Sequence, residues 1–124
     1  MNINRSMLIV KPKQPFLDWA RSLDEESKDL TFERISGDET AYLVPQMWDD
    51  AGAESIVEWC YDILFELELD SWCVDPDTWP ETRDLPTFLE WFKVEYHSLV
   101  LDLCAEPITH LEDEPAEIET RNGY

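Results

Sequence analysis

The sequence predicts an α+β fold, in which a small two- or three-stranded sheet packs against one short and two long helices. Two short, largely apolar and partly β-branched runs, at residues 7–10 and 40–44, have the composition of strands. Elsewhere the apolar residues recur at helical spacing. The chain has 124 residues, 44% of them hydrophobic, which is enough for one packed core. We therefore expect a single α+β domain over residues 1–104 and an acidic, disordered tail over residues 105–124.

The first two elements are a strand and a short helix. Residues 6–11 contain the run Met-Leu-Ile-Val and end before Pro12, which predicts a strand. Pro15 suits the first turn of a helix because that turn leaves its N–H groups unpaired in any case. The helix extends to Leu23, and its apolar side chains share one face: Phe16, Trp19, Ala20 and Leu23.

The next segment decides whether the sheet has two strands or three. Leu30, Phe32 and Ile35 indicate a short strand over residues 30–35, and residues 36–38 (Ser-Gly-Asp) read as a turn. Residues 40–44 then form a strand that Pro45 ends, because proline has no N–H for a sheet ladder.

Two long helices are predicted in the second half of the chain. Residues 53–71 form the first, with an apolar stripe through Ile56, Cys60, Ile63 and Leu67. Residues 75–80 contain two prolines and form a loop. The last helix is predicted over residues 85–103, because six apolar residues fall on one face at helical spacing: Phe88, Leu89, Phe92, Tyr96, Leu99 and Leu103.

The charge is strongly negative and unevenly distributed. The net charge is −20, and residues 35–82 contain thirteen Asp or Glu but no Lys or Arg. Such a field repels nucleic-acid phosphates and anionic lipid and attracts basic partners. We therefore expect no direct nucleic-acid binding, no membrane association, and a basic protein surface as partner. The sequence leaves the oligomeric state open.

Five acidic residues follow one another at every fourth position of the first long helix, and we call them the acidic ladder: Glu54, Glu58, Asp62, Glu66 and Asp70. This spacing places the carboxylates in one row, about 6 Å apart along the helix axis. The row is either the solvated face that any amphipathic helix needs, or a partner-binding surface, or a metal or catalytic site. Trp79, in the neighbouring loop, is either an exposed partner-binding anchor or a lid over the core.

The sequence carries no catalytic or metal-binding motif that stands out, and we expect no cofactor. Cys60, Cys73 and Cys104 form no C-x-x-C pair, which predicts reduced, mostly buried thiols in a cytoplasmic protein. No apolar run is long enough for a signal peptide or a membrane span. Glu90, Glu95 and His97 could still act as acid or base if they lay between the sheet and the helices.

Several motifs resemble a group of small acidic bacterial proteins of unassigned function. They are residues 11–19 (Lys-Pro-Lys-Gln-Pro-Phe-Leu-Asp-Trp), the pair Trp79-Pro80, and residues 88–98. The resemblance implies a bacterial, cytoplasmic protein and assigns no activity, cofactor or residue role.

The sequence thus favours a non-enzymatic interaction protein that binds a basic surface of another protein. One such partner is a protein that handles nucleic acid, and the acidic surface of this chain would then act as a DNA mimic. The alternative is a small enzyme or ligand-binding domain with a Glu/His site between sheet and helices. A third hypothesis is that the charge serves solubility alone.

Overall fold

The structure is a computed structural model that describes residues 2–35, 39–46 and 52–111. In these residues it has three strands: β1 (Arg5–Pro12), β2 (Ala41–Pro45) and β3 (Phe92–His97). It also has four α-helices: α1 (Gln14–Arg21), α2 (Phe32–Ile35), α3 (Gly52–Trp72) and α4 (Leu85–Trp91). Short 3₁₀ turns lie at Glu25–Ser27 and Pro76–Thr78. The predicted turn at 36–38 and residues 112–124 of the predicted tail lie outside the described residues.

The strands form one antiparallel sheet in the order β2-β1-β3. Leu8 lies opposite Tyr42 on one side and Tyr96 on the other, and Val10 lies opposite Val94. These partners share the face of the sheet that packs against the helices, because side chains alternate between faces along a strand. The α+β prediction is confirmed, with three strands in the sheet.

The core lies between this sheet face and helices α1, α3 and α4. Phe65, Phe88 and Phe92 are almost fully buried, and their rings lie 5.2 to 5.7 Å apart. Phe16 joins the cluster from α1, with its ring 5.3 Å from that of Phe92. Each element therefore contributes an aromatic or branched side chain to one continuous core.

The predicted helix over residues 85–103 is wrong beyond Trp91. The chain leaves α4 at Phe92 and continues as β3, which pairs with β1 from Met7 to Pro12. Phe92, Val94 and Tyr96 alternate with polar residues, so the segment satisfies the strand pattern as well as the helical one. Pairing with β3 satisfies the backbone groups along this edge of β1, which a helix over the same residues would leave unpaired.

Two smaller expectations also need correction. The segment predicted as a short strand at residues 30–35 contains the one-turn helix α2, and the third strand of the sheet is β3 instead. The three cysteines form no disulfide, as predicted, but they are not mostly buried. Cys60 is buried, Cys73 is half-buried and Cys104 is exposed.

The end of the described chain runs beside the N-terminus. Leu101 forms an isolated antiparallel bridge with Asn2, and the Ile3 amide donates to the Val100 carbonyl over 3.1 Å. Residues 103–111 are exposed. The disorder predicted for residues 105–124 stays a prediction.

Candidate functional site

Helix α3 places the acidic ladder on the solvent side of the molecule. The helix forms over 21 residues and buries one face against the sheet and α4. That face comprises seven residues: Gly52, Ile56, Val57, Cys60, Leu64, Phe65 and Leu69. All five ladder residues are exposed. From Glu54 to Asp70 the ladder spans about 24 Å of helix.

The buried face of α3 differs slightly from the predicted stripe. Ile56 and Cys60 are buried as predicted, whereas Ile63 and Leu67 are half-buried. Leu64 and Phe65 take the central positions because the sheet and α4 meet on that side. The ladder lies on the solvent side of the helix in either case.

The ladder concentrates like charge without a base on its own helix. Each neighbouring carboxylate pair at i, i+4 destabilises a helix, so the four pairs together cost about 0.8–2 kcal/mol. No Lys or Arg occurs between residues 35 and 82 to offset this cost. Burial of the apolar face of α3 outweighs the cost and holds the carboxylates in a fixed row.

An apolar groove adjoins the N-terminal end of the ladder, between α3, α4 and β3. It has a volume of about 380 Å³, and we call it the α3–α4 groove. Eight residues line it: Ala53, Glu54, Val57, Glu58, Leu85, Leu89, Val94 and Tyr96. Its two charged residues, Glu54 and Glu58, both belong to the ladder. The sequence did not predict this groove, because the change from helix to strand at Phe92 creates it.

Capping and backbone contacts fix α4 at the edge of this groove. The Thr87 amide donates to Asp84 Oδ1 over 2.9 Å. Hydrogen bonding from the Thr87 side chain, and secondarily from its amide, lowers the pKa of the Asp84 carboxyl. Lys13 donates from its backbone amide to the Trp91 carbonyl and from Nζ to the Leu89 carbonyl. Phe88 points into the core, whereas Leu89 is 46% exposed beside the groove.

Trp79 lies in the loop before α4 and packs against the core. Its indole Nε1 donates to the Cys73 carbonyl over 2.9 Å, and the Arg83 guanidinium lies 5.8 Å from its ring centroid. The residue is half-buried. This geometry favours the lid over the core, and a partner-binding role of Trp79 stays a prediction.

Glu95 and His97 lie on the outer face of the sheet, away from the helices. Their neighbours Val94 and Tyr96 occupy the inner face instead. Glu95 lies 2.6 Å from Lys11 Nζ and 3.7 Å from His97 Nε2. The ion pair with Lys11 lowers the pKa of Glu95. Glu90 is exposed on α4, so none of these three occupies a site between sheet and helices.

A half-buried polar pair that the sequence did not predict lies beside a second cleft, which one member of the pair, Glu68, lines. The Tyr42 hydroxyl donates to Glu68 Oε2 over 2.5 Å. Burial raises the pKa of both groups, and the nearby Glu39 raises that of Glu68 further. The cleft beside Glu68 has a volume of about 260 Å³. Glu68 follows the buried Leu64 by four positions, and this spacing is the signal that could have distinguished it from the ladder.

Comparisons with known proteins return no relative. No protein-family profile matches the chain, and neither a curated protein nor a solved structure matches it. Within the described residues, no group of three or more His, Cys, Asp or Glu side chains is arranged to hold a metal ion. In the same part of the chain, no helix has the length and apolar character needed to cross a membrane.

Proposed function

We propose that this chain is a non-enzymatic interaction protein whose acidic ladder binds a basic surface of another protein. The observation that carries the proposal is the exposure of all five ladder carboxylates in one row, in a stretch without a single Lys or Arg. A solvated helix face that serves solubility ordinarily mixes both signs of charge. A single-sign row instead creates a directional field that steers a basic partner toward it.

The class of partner that best fits such a row is a basic protein that itself contacts phosphates. Duplex DNA carries one charge per roughly 1.7 Å of axis, whereas the ladder carries one per about 6 Å. A partner site built for phosphates would therefore meet a sparser but rigid row of anions. This lower density predicts weaker binding than nucleic acid gives, with a shallower dependence on salt because fewer charges are neutralised.

The test is capture of partners from a bacterial lysate, followed by measurement of the purified pair at about 50 mM and about 500 mM NaCl. The first variant reverses the ladder charge with Glu58→Lys, Asp62→Lys and Glu66→Lys. The matched control, Glu26→Lys, Asp29→Lys and Glu33→Lys, changes the net charge equally at exposed positions outside α3. The proposal requires binding that salt weakens, that the ladder variant loses and that the control keeps. Equal binding by both variants would refute it.

A ligand-binding domain is the second candidate, because the cleft beside Glu68 lies between sheet and helices. A half-buried carboxylate with a raised pKa in a cleft is a common feature of small-molecule sites. The test is a thermal-shift screen of metabolites against the wild type and Glu68→Gln. A compound that raises Tm in the wild type alone would support this candidate, and a screen without any shift would reject it.

A further inference from the structure

We propose that the α3–α4 groove receives the apolar face of a basic amphipathic helix from the partner protein. This inference rests on the proposed function and specifies what the partner presents. The groove supplies apolar contact that the ladder lacks, and it lies at one end of the ladder. Buried apolar anchors within a charged rim are the usual arrangement at sites that carry most of the binding energy.

The lining determines the chemistry of the occupant. Val57, Leu85, Leu89 and Val94 offer aliphatic surface, and Leu89 leaves 46% of its surface in water. None of the eight lining residues is basic. A volume of about 380 Å³ lies at the lower end of the range for pockets that enclose small organic groups, so it suits one or two large apolar side chains.

The rim determines the charge and the spacing of the occupant. Glu54 and Glu58 are one helical turn apart, and both are exposed beside the apolar lining. Lys or Arg side chains four residues apart on a second helix have the same separation of about 6 Å and would face them in register. Apolar anchors at i and i+3 or i+4 of that helix would enter the groove, as in other helix-in-groove complexes.

Charge also argues against two segments of this chain as occupants of the α3–α4 groove. Residues 112–124 contain five acidic residues and one Arg, so the rim carboxylates would repel them. Residues 99–111, which expose Leu99, Leu101, Leu103, Ile108 and Leu111, contain Asp102 and Glu106 and no Lys or Arg. A second copy that offered this stretch would meet the same repulsion, whereas a basic helix would meet attraction.

The test uses a labelled Leu/Lys peptide that forms an amphipathic helix, and a scrambled peptide of identical composition without an apolar face. The decisive variant is Leu89→Glu, which adds negative charge while it removes apolar surface from the groove. Its matched control is Leu43→Glu, because Leu43 is also 46% exposed but lies on the outer face of the sheet. Circular dichroism and the thermal midpoint establish that both variants are folded.

We expect the wild type to bind the amphipathic peptide more tightly than the scrambled one. Leu89→Glu should weaken this binding about tenfold, although it makes the protein more acidic, and Leu43→Glu should change it less than about twofold. Peptide-induced shifts of methyl resonances should occur at Val57, Leu85 and Val94.

Two other outcomes would overturn the inference, and they are distinguishable. If both peptides bind equally and Leu89→Glu behaves like Leu43→Glu, the groove is not the site. Loss of that binding in the Glu58/Asp62/Glu66 reversal would then leave the proposed function standing. If the wild type binds neither peptide at about 50 mM NaCl, the proposed function fails together with the groove.

Discussion

Two charge reversals within the ladder should stabilise the protein. In the variant Glu58→Lys/Glu66→Lys, each new Lys lies between two remaining carboxylates of the row. All four neighbouring pairs then change from like charge to opposite charge. Both positions are exposed, and Lys has nearly the same helix propensity as Glu, so the change in charge dominates.

The magnitude follows from the number of pairs. Each pair now destabilises the helix by about 0.2–0.5 kcal/mol and would then stabilise it by a similar amount. The gain is smaller for the pairs in which Lys precedes the acidic residue. The total is about 1.5–3 kcal/mol in the free energy of unfolding at low salt. For a domain of this size the thermal midpoint should rise by about 6–12 °C.

The assay is urea unfolding, because urea leaves the ionic strength unchanged whereas guanidinium chloride does not. The control variant, Glu26→Lys/Glu33→Lys, changes the net charge equally outside α3, and its effect should stay within about 0.5 kcal/mol. At about 1 M NaCl the Debye length falls to about 3 Å, so the difference between the ladder variant and the wild type should shrink by half or more. Equal stability of the ladder and control variants at low salt would refute this account of α3.

Three further predictions concern the core, the second cleft and the thiols. Phe65→Ala should destabilise the protein by about 3–5 kcal/mol in urea unfolding, because Phe65 is fully buried among aromatic rings; an effect below about 1 kcal/mol would contradict this packing. Because the pKa of Glu68 in the folded protein is raised, the folded state holds that proton more tightly, and the free energy of unfolding falls as pH rises from the ordinary value of 4.5 through the raised pKa. Glu68→Gln keeps an acceptor for Tyr42 and should flatten this decline in a urea series from about pH 4 to pH 8, whereas an unchanged slope would contradict the assignment. A thiol reagent should modify Cys104 at once and Cys60 only after unfolding, as mass spectrometry of the modified peptides would show; early modification of Cys60 would contradict its burial.

The elements that local sequence determines were predicted correctly. β1 and β2 contain short apolar, partly β-branched runs and end at a proline, and α1 and α3 carry apolar residues at helical spacing. The local sequence pattern predicted a helix after Trp91 where the structure has a strand, because Phe92 and Tyr96 fit a helical face and a strand face equally well. The choice there depends on β1, which lies about eighty residues earlier in the chain and offers an open edge for pairing.

The same distinction holds for the candidate site, where one part follows from local sequence and the other depends on distant pairing. The exposed row of carboxylates follows from a spacing of four on one helix, so the sequence alone predicted it. The α3–α4 groove needs Val94 and Tyr96 on a strand beside α3, and that juxtaposition depends on the same distant pairing. Glu68 is half-buried and accepts a hydrogen bond from Tyr42. Its spacing of four from Leu64 separates it from the ladder, but its partner on β2 does not follow from local sequence.

Solubility alone is a weak explanation for the ladder. The chain has 29 acidic residues, and twenty-four of them lie outside the ladder, so the net charge would stay strongly negative without it. Two substitutions by Lys would turn a helix cost of about 0.8–2 kcal/mol into a gain and would still leave the protein acidic. A helix that keeps the less stable pattern beside an exposed apolar groove is what the proposed binding role predicts, because functional surfaces commonly retain such a cost. Glu54 and Glu58 belong to both the ladder and the groove, so in the proposed complex charge would attract the partner to the point where apolar contact can hold it.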